Sequence, residues 1–283
     1  VWCMMGKLFL VATPIGNLQD ITLRALEILK GVDLIAAEDT RRSLKLLNHF
    51  DIKKPLVSYH KFNEKEKSVE LIKKLKSGDN IALVSDAGTP GISDPGSVMI
   101  HNCIDYGIDF EVIPGATAVT TALIYSGLDA SKFIFEGFLP RDVKSKKNVL
   151  EDIAERRETL IFYEAPHRLL STLKLMRSVL GDRHAAVCRE LTKIHEEVFR
   201  ASLGKIVNYY KNREIKGEFV IVVEGKSKEE IAEERKKKWM NLSIEEHIKM
   251  YMDRGLSKKD AVKRVAKDRD TVKSDIYIHS INL

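Results

Sequence analysis

A loop rich in glycine and proline constrains the fold of this chain more than any other segment. Residues 85–96 read SDAGTPGISDPG and contain three glycines, two prolines and two aspartates. They follow the apolar run 81–84, which is typical of a buried strand. Glycine allows close backbone approach and left-handed turns, and proline fixes φ. Because an open α/β sheet binds ligands at the carboxyl ends of its strands, we predict a ligand site here; the alternative is an ordinary strand-to-helix turn.

Short apolar runs alternate with helical patterns before and after this loop. Strands that alternate with helices at this spacing favour βαβ units and a mainly parallel sheet. The predicted strands cover residues 8–12, 34–37, 55–59, 81–84 and 110–113, and the predicted helices cover residues 22–30, 43–50, 65–76 and 97–106.

A second set of elements begins near residue 129. Its predicted strands are residues 133–140, 159–163, 185–188 and 218–223, and its predicted helices are 148–157 and 168–180. A basic loop is predicted to carry Arg141, Lys144, Lys146 and Lys147. We therefore predict two α/β domains with mainly parallel or mixed sheets, residues 5–116 and 117–225. A charged linker and a small helical C-terminal segment follow, residues 226–283.

Composition narrows the class of protein. The chain has 283 residues, of which 44% are hydrophobic and 31% charged, and its apolar runs are too short to span a membrane. Neither a secretory signal nor a CxxC pair is visible, and the three cysteines are widely spaced. We therefore expect a globular cytoplasmic protein without membrane attachment, structural disulfides or a bound metal.

The net charge of +6 is concentrated near the C-terminus. Residues 226–283 hold 15 basic and 11 acidic side chains. An excess of positive charge favours a polyanionic partner. For residues 229–238 alone, the alternative is a solvated charged helix.

Several common ligand motifs are missing from the sequence. It contains no GxxxxGK[ST], no GxGxxG after a strand, no HExxH and no GxSxG. What remains is a set of glycine- and proline-containing loops at strand ends, supplied by both halves of the chain. Such loops suit a small amphipathic ligand that is held by backbone groups in a cleft.

Six motifs give the chain a resemblance to a known family. In chain order they are residues 10–22 (LVATPIGNLQDIT), 37–41 (AEDTR), 85–96, 113–116 (IPGA), 162–168 (FYEAPHR) and 189–193 (RELTK). Together they resemble the ribosomal RNA small subunit methyltransferase I family, within the tetrapyrrole methylase superfamily, over essentially the whole chain. The resemblance implies a two-domain α/β methyltransferase, usually a homodimer, that binds S-adenosylmethionine between its domains. It also implies methylation of a cytidine 2′-hydroxyl in the decoding region of 16S rRNA, with the small ribosomal subunit as partner.

The same resemblance implies a set of cofactor-binding residues. The alternatives are a core role for Ala118 and Leu191 and a simple turn at Gly217. Asp86 is harder to explain as core, because an unpaired buried carboxylate is costly. The expected cofactor-binding residues are Pro14, Asp86, Ala87, Gly88, Ile92, Ala116, Thr117, Ala118, Tyr163, Leu191 and Gly217.

The sequence leaves the catalytic group open. A ribose hydroxyl is a weak nucleophile, so a nearby base or cation would help. The candidates are Glu38, Asp39, Arg41, Asp94 and Lys193. The alternative for the first three is an ion-pair network that fixes their loop. His60 also follows a strand, but we interpret it as incidental.

The C-terminal segment resembles a helix-turn-helix element. Its predicted helices are 244–254 and 258–266, with Ser257 as an N-cap, and a third begins near residue 270. The RNA-binding residues expected there are Lys258, Lys259, Lys263, Arg264 and Lys267. The alternative is a small dimerisation or capping domain.

Two rival functions stay open from the sequence. One is methylation of a small substrate such as a tetrapyrrole on the same core fold. The other is RNA binding without catalysis, with an ancestral pocket retained.

Overall fold

A computed structural model describes residues 5–227, 230, 239, 241–281 and 283. The described residues up to Ala154, with Glu158–Glu224, form one compact unit that contains both sheets of the fold. Glu155–Arg157 and the described residues from Gly225 onward form a second unit. Of the charged stretch 229–238, all but Glu230 lies outside the described residues.

The first sheet is parallel and has five strands. Each pair of successive strands is separated by a helix, as parallel pairing requires, and the sheet order is β3-β2-β4-β1-β5. The strands are β1 (Leu8–Val11), β2 (Leu34–Ala37), β3 (Leu56–Ser58), β4 (Ile81–Val84) and β5 (Phe110–Ile113). The helices are α1 (Leu23–Gly31), α2 (Thr40–His49), α3 (Glu64–Lys76) and α4 (Ser97–Asp105), with a short 3-10 helix at Leu18–Asp20.

The strand order places the loops after β1 and β4 side by side. β4 pairs with β1, with Leu8 opposite Ile81 and Leu10 opposite Leu83. The chain thus returns to the middle of the sheet at β4, and a ligand crevice opens where the strand order reverses.

The second sheet is mixed and also has five strands, in the order β6-β7-β10-β8-β9. β6 pairs parallel to β7, whereas β10 pairs antiparallel to both β7 and β8, and β9 pairs antiparallel to β8. Its strands are β6 (Phe133–Phe138), β7 (Thr159–Glu164), β8 (His184–Arg189), β9 (Glu197–Ser202) and β10 (Phe219–Val223). The accompanying helices are α5 (Ala118–Ser126), α6 (Val143–Asp152), α7 (Pro166–Leu180) and α8 (Leu203–Tyr210).

Both faces of the second sheet are buried, with different roles. On one face, Phe162, Val187 and Ile221 pack in the core that includes residues of α6, α7 and α8. On the other face, neighbouring residues of the same strands pack with Ala122 of α5 and with Ile15 from the loop after β1. Because side chains alternate along a strand, neighbouring residues of one strand contribute to these two separate cores.

The C-terminal unit is a small group of helices: α9 (Ile244–Met252), α10 (Lys258–Asp268) and α11 (Lys273–Ile278). Its core contains Ile248, Val262 and Ile276. Ser257 caps α10 by accepting a hydrogen bond from the backbone N–H of Asp260, as the sequence predicts. In the described ranges, no helix has the length and apolar character that crossing a membrane requires.

The predicted α/β class with mainly parallel and mixed sheets is confirmed, and several boundaries are corrected. β9 and α8 are missing from the prediction, and α6 begins at Val143 rather than near 148, with Asp142 as its N-cap. The predicted basic loop is therefore wrong for its three lysines, which lie on α6. Lys146 is 5% exposed, and its ammonium donates a hydrogen bond to the Thr172 hydroxyl.

Gly115 provides a test of how closely the loops after β1 and β5 must pack. A Cβ added there would lie 2.8 Å from the Cβ of Ala12, which is fixed to the backbone and cannot swing away. We expect Gly115→Ala to lower the free energy of unfolding by about 1–3 kcal/mol through overpacking, measured by urea denaturation. Gly31→Ala is the control, since nothing lies within 4 Å of its added Cβ, and it should be neutral or slightly stabilising. Equal stability of the Gly115→Ala variant and the native protein would contradict the account.

Candidate functional site

Two adjoining cavities open at the carboxyl ends of the first sheet's strands. The larger has a volume of about 580 Å³ and the smaller about 270 Å³. Ile15, Ala87 and Glu218 line both, so the two cavities share a wall. A pair of adjoining compartments suits a protein that holds two ligands next to each other.

The glycine-rich loop is fixed to the end of β1 by two backbone hydrogen bonds. The N–H of Thr13 donates to the carbonyl of Gly88 at 2.9 Å, and the N–H of Gly88 donates back to Thr13 at 3.0 Å. Gly88 has a φ of +77°, a left-handed conformation that side-chain-bearing residues rarely adopt. The loop is thus held with Ala87, Gly88 and Thr89 in the wall of the larger cavity.

An aromatic wall comes from the second sheet. Tyr163 makes edge contacts with Phe135 and Phe138, with ring centroids 5.0 and 5.5 Å apart. Burial, with a smaller contribution from the charge of Asp94, raises the pKa of Tyr163 to about 12, so its hydroxyl is protonated at neutral pH. The wall is thus a neutral, largely apolar surface.

The loop between β8 and β9 closes the cavity from the same side. Glu190 and Thr192 have φ values of +50° and +65°, which are uncommon for residues with side chains. They flank Leu191, which lines the larger cavity and is also buried in the core beneath it. Such conformations persist where the surroundings impose them, and they concentrate at functional sites.

Gly217 packs directly against this loop. It has a φ of +102°, and a Cβ there would lie 2.7 Å from Cγ of Glu190. The Glu190 carboxylate accepts hydrogen bonds from the N–H of Glu218 at 2.8 Å and from Lys193 at 3.0 Å. The backbone at Gly217 therefore passes so close to Glu190 that a side chain would not fit, and Gly217 also lines the cavity.

Three carboxylates from two loops, Glu38, Asp86 and Asp94, lie close enough to influence one another. The N–H of Asp86 donates to Glu38, and Asp86 itself accepts from the N–H of Asp39 at 2.9 Å. The Nη1 atom of Arg42 lies 3.3 Å from the second Asp86 oxygen. Asp86 is half-buried and the fold supplies its partners, so the cost of an unpaired buried carboxylate, which counted against a core role, does not arise.

Asp94 is the carboxylate whose pKa changes most in this group. Burial, followed by the negative charges of Glu38 and Asp86, raises its pKa to about 6, against a smaller opposing effect of the Ser85 hydroxyl. The pKa of Glu38 is also raised, mainly by burial. Asp94 thus titrates near the pH at which a general base is useful.

The five candidate catalytic residues lie in different places. Asp94 lines the larger cavity and Lys193 the smaller, whereas Glu38, Asp39 and Arg41 line neither. Arg41 pairs with Asp39 at 2.9 Å, and its hydrogen bonds hold the pKa of Asp39 at about 2. Asp39 and Arg41 thus match the ion-pair alternative, whereas Glu38 accepts the hydrogen bond from the N–H of Asp86.

Most residues expected to bind the cofactor surround the larger cavity. Pro14 and Asp86 line the smaller one instead, and Ala116 lines neither but packs against the core below. Those in the larger cavity are Ala87, Gly88, Ile92, Thr117, Ala118, Tyr163, Leu191 and Gly217.

Sequence reasoning missed residues that reach the cavities from regular elements. Phe135 and Phe138 of β6 form part of the aromatic wall, and Arg42 and Lys45 of α2 line the smaller cavity. The pattern of β6 predicts a strand without showing which neighbour its side chains face. The two basic residues are indistinguishable by sequence from ordinary exposed positions on a helix.

Comparison with known proteins agrees with this architecture. A family model of Tetrapyrrole (Corrin/Porphyrin) Methylases matches residues 7–207. Among solved structures, uroporphyrin-III-C-methyltransferase from Thermus thermophilus superimposes with a TM-score of 0.55 at 20% identity, over 77% of this chain and 92% of that one. Diphthine synthase superimposes with a TM-score of 0.61 at 18% identity, over 78% of this chain and 91% of its own. The chain belongs to the tetrapyrrole methylase family and is a methyltransferase.

Within that family, relatives of one kind are similar over most of the chain. Ribosomal RNA small subunit methyltransferase I of Bacillus subtilis (strain 168) is 49% identical over 96% of this chain and 93% of its own length. The protein of that name from Haemophilus influenzae is 52% identical over 80% of this chain and 81% of its own length. The one from Thermotoga maritima is 46% identical over its whole length but over 78% of this chain, so the remainder has no counterpart there. The resemblance seen in the motifs is confirmed.

The raised pKa of Asp94 predicts a dependence of stability on pH. The folded value of about 6 exceeds the ordinary value of 3.8, so the folded state holds the proton more tightly. This stabilisation is complete below pH 4 and is lost as the pH rises through 6. Asp94→Asn cannot lose it, so we expect the variant to become progressively more stable relative to the native protein between pH 4 and 7.

Urea unfolding of both proteins at several pH values measures this difference. Asp105→Asn removes the same charge at an exposed position at the end of α4 and serves as the control. A difference between Asp94→Asn and the native protein that does not vary with pH would contradict the assignment.

Proposed function

We propose that this methyltransferase uses S-adenosylmethionine to methylate the 2′-hydroxyl of a cytidine ribose in the decoding region of 16S rRNA. The observation that carries the proposal is the pair of adjoining cavities, one largely apolar and the other bordered by cations. The names of the relatives support the choice of ribosomal RNA. We further propose, from the family resemblance, that the enzyme acts as a homodimer in the cytoplasm.

The larger cavity fits S-adenosylmethionine in size and chemistry. Its volume of about 580 Å³ is in the range of small-molecule sites, and its wall combines aromatic rings with backbone groups of the glycine-rich loop. Asp94 supplies negative charge, and no Lys or Arg occurs among the described lining residues. A site of this kind suits a cofactor with a positively charged sulfur, which aromatic faces also attract. When bound, the cofactor supplies a methyl group that is already activated for transfer.

The protein's own contribution is to position the ribose and to accept its proton. Alignment of two reactants in neighbouring compartments can supply much of the acceleration. Of the five candidate residues, we assign proton acceptance to Asp94, because its carboxylate lines the cavity and is ionised at neutral pH. Glu38 and Asp86 raise its affinity for a proton. Lys193 is held by Glu190 and Glu218 at 3.0 and 2.9 Å, so we assign it to positioning.

The function is tested by transfer of label from S-adenosylmethionine. We expect labelled methyl on a cytidine 2′-oxygen when small ribosomal subunits or naked 16S rRNA are the substrate, with the labelled nucleotide mapped. At saturating cofactor, Asp94→Asn should lower the single-turnover rate by about 100-fold or more, since general base catalysis contributes on that order. Full activity of this variant would remove Asp94 from the reaction.

The same experiment distinguishes the rival activity, methylation of a small substrate, by a different result. Cofactor binding without labelled RNA on either substrate would favour it over the rRNA activity. Loss of cofactor binding itself would favour a protein that binds RNA without catalysis.

The C-terminal unit supports an RNA substrate through the arrangement of its lysines. Lys259, Lys263 and Lys267 are exposed and lie four residues apart along α10, so they form one stripe. The opposite face of α10 is buried through Ala261, Val262 and Val265. Like charges at this spacing cost the helix stability, so the stripe favours phosphate binding over a purely structural role. Lys258 is half-buried, and Arg264 is paired with Asp268 at 3.5 Å.

Reversal of charge on this stripe should weaken RNA binding. For Lys259→Glu with Lys263→Glu, we expect lower affinity for 16S rRNA and a shallower dependence of log affinity on log salt, because fewer counterions are released. Affinity for S-adenosylmethionine should stay unchanged. The same charge change at two exposed lysines of α3, Lys65→Glu with Lys73→Glu, is the control. An unchanged salt slope would favour the dimerisation or capping alternative.

A further inference from the structure

The two adjoining cavities differ in the charge of their walls. The smaller is lined by three cations, Arg42, Lys45 and Lys193. Among its described lining residues, two carboxylates, Asp86 and Glu218, oppose them. The larger cavity has no lysine or arginine in the described part of its wall. The positive compartment therefore suits an anionic group, next to the compartment that suits a cation.

The cations come from separate elements that converge on one opening. Arg42 and Lys45 are three residues apart on α2, so their side chains lie on the same face of that helix. Lys193 comes from the loop after β8, in the second half of the chain. The first turn of α2 adds the partial positive charge of a helix N-terminus on the Arg42 side. The fold thus brings together charges that lie about 150 residues apart in the sequence.

These cations retain binding capacity after their internal partners are counted. Arg42 contacts Asp86 through Nη1 at 3.3 Å, and a guanidinium has five N–H donors in all. Lys193 is shared between Glu190 and Glu218. Lys45 is exposed and makes neither an ion pair nor a side-chain hydrogen bond with any described residue. Two like charges three residues apart on a helix do not stabilise it, so this pair of cations gives α2 no internal benefit.

We propose that the smaller cavity binds a phosphate of the substrate RNA beside the target ribose, through Lys45 and Arg42. The inference rests on the proposed function, since it takes the larger cavity as the cofactor site. The shared wall of Ile15, Ala87 and Glu218 places a bound phosphate next to that site. A phosphate on either side of the ribose would then fix the orientation of its 2′-hydroxyl.

The test uses a short, fluorescent, single-stranded oligocytidylate with the full-length protein. We expect Lys45→Ala to weaken oligocytidylate binding about 3- to 10-fold. The negative slope of log affinity against log salt should become shallower by about 0.7, the value for one phosphate contact on a single strand. Because Lys45 is exposed and unpaired in the described structure, the variant should fold normally. Lys73→Ala, an exposed lysine on α3, is the matched control and should change neither quantity.

A modified probe identifies the contact as one with phosphate. Oligocytidylates with one uncharged methylphosphonate linkage at successive positions should bind the native protein more weakly at one position. For the probe modified at that position, Lys45→Ala should cause no further loss of affinity, since the two changes remove the same interaction. Losses that simply add at every position would overturn the proposal.

Two other results have defined meanings. If Lys45→Ala leaves oligocytidylate binding intact and weakens binding of S-adenosylmethionine by calorimetry, the cavity holds the carboxylate of the cofactor and the proposal fails. If oligocytidylate binding depends on Lys45 but 16S rRNA receives no label, the phosphate site stands and the proposed rRNA activity fails. The two failures are therefore distinguishable.

Discussion

The pair of backbone hydrogen bonds between Thr13 and Gly88 is the interaction on which the site depends. It joins the loops that leave β1 and β4, the two neighbouring strands at which the sheet order reverses. These bonds fix the glycine-rich loop at Gly88 relative to the end of β1. Asp86, Ala87 and Asp94 all belong to this loop, so the carboxylate cluster and the shared cavity wall are set by the same contact.

The second half of the chain completes what this loop begins. The Thr192 hydroxyl accepts a hydrogen bond from the N–H of Asn17 at 2.9 Å, and Ile15 packs into the core beneath the second sheet. These contacts place the loop after β8 against the loop after β1, although the two lie about 175 residues apart. The strained backbone at Glu190 is held by the hydrogen bond that its carboxylate accepts from the N–H of Glu218, and that at Thr192 by the hydrogen bond from its own N–H to Glu196. The site is therefore a product of both sheets.

Electrostatics divides the site into two regions. The charges of Glu38 and Asp86 raise the proton affinity of Asp94, and Arg42 pairs with Asp86 at 3.3 Å. Asp86 thus links the two regions, because its carboxylate acts on Asp94 and pairs with a cation of the smaller cavity. This arrangement suits a reaction between a positively charged methyl donor and a polyanionic acceptor.

The sequence by itself determined the α/β class, the alternation of strands and helices, and the loops that carry the site. It could do so because apolar runs, glycine and proline act locally, as in residues 85–96. It missed β9 and α8, and it placed Lys146 in a loop although that lysine is buried beside Thr172. Only the tertiary structure paired Asp86 with Arg42, placed Asp94 but not Asp39 in the wall of the larger cavity, and brought Lys45 and Lys193 to one cavity. The reason is physical: burial, pKa shifts and cavity charge arise from contacts between residues far apart in the chain, which local patterns do not contain.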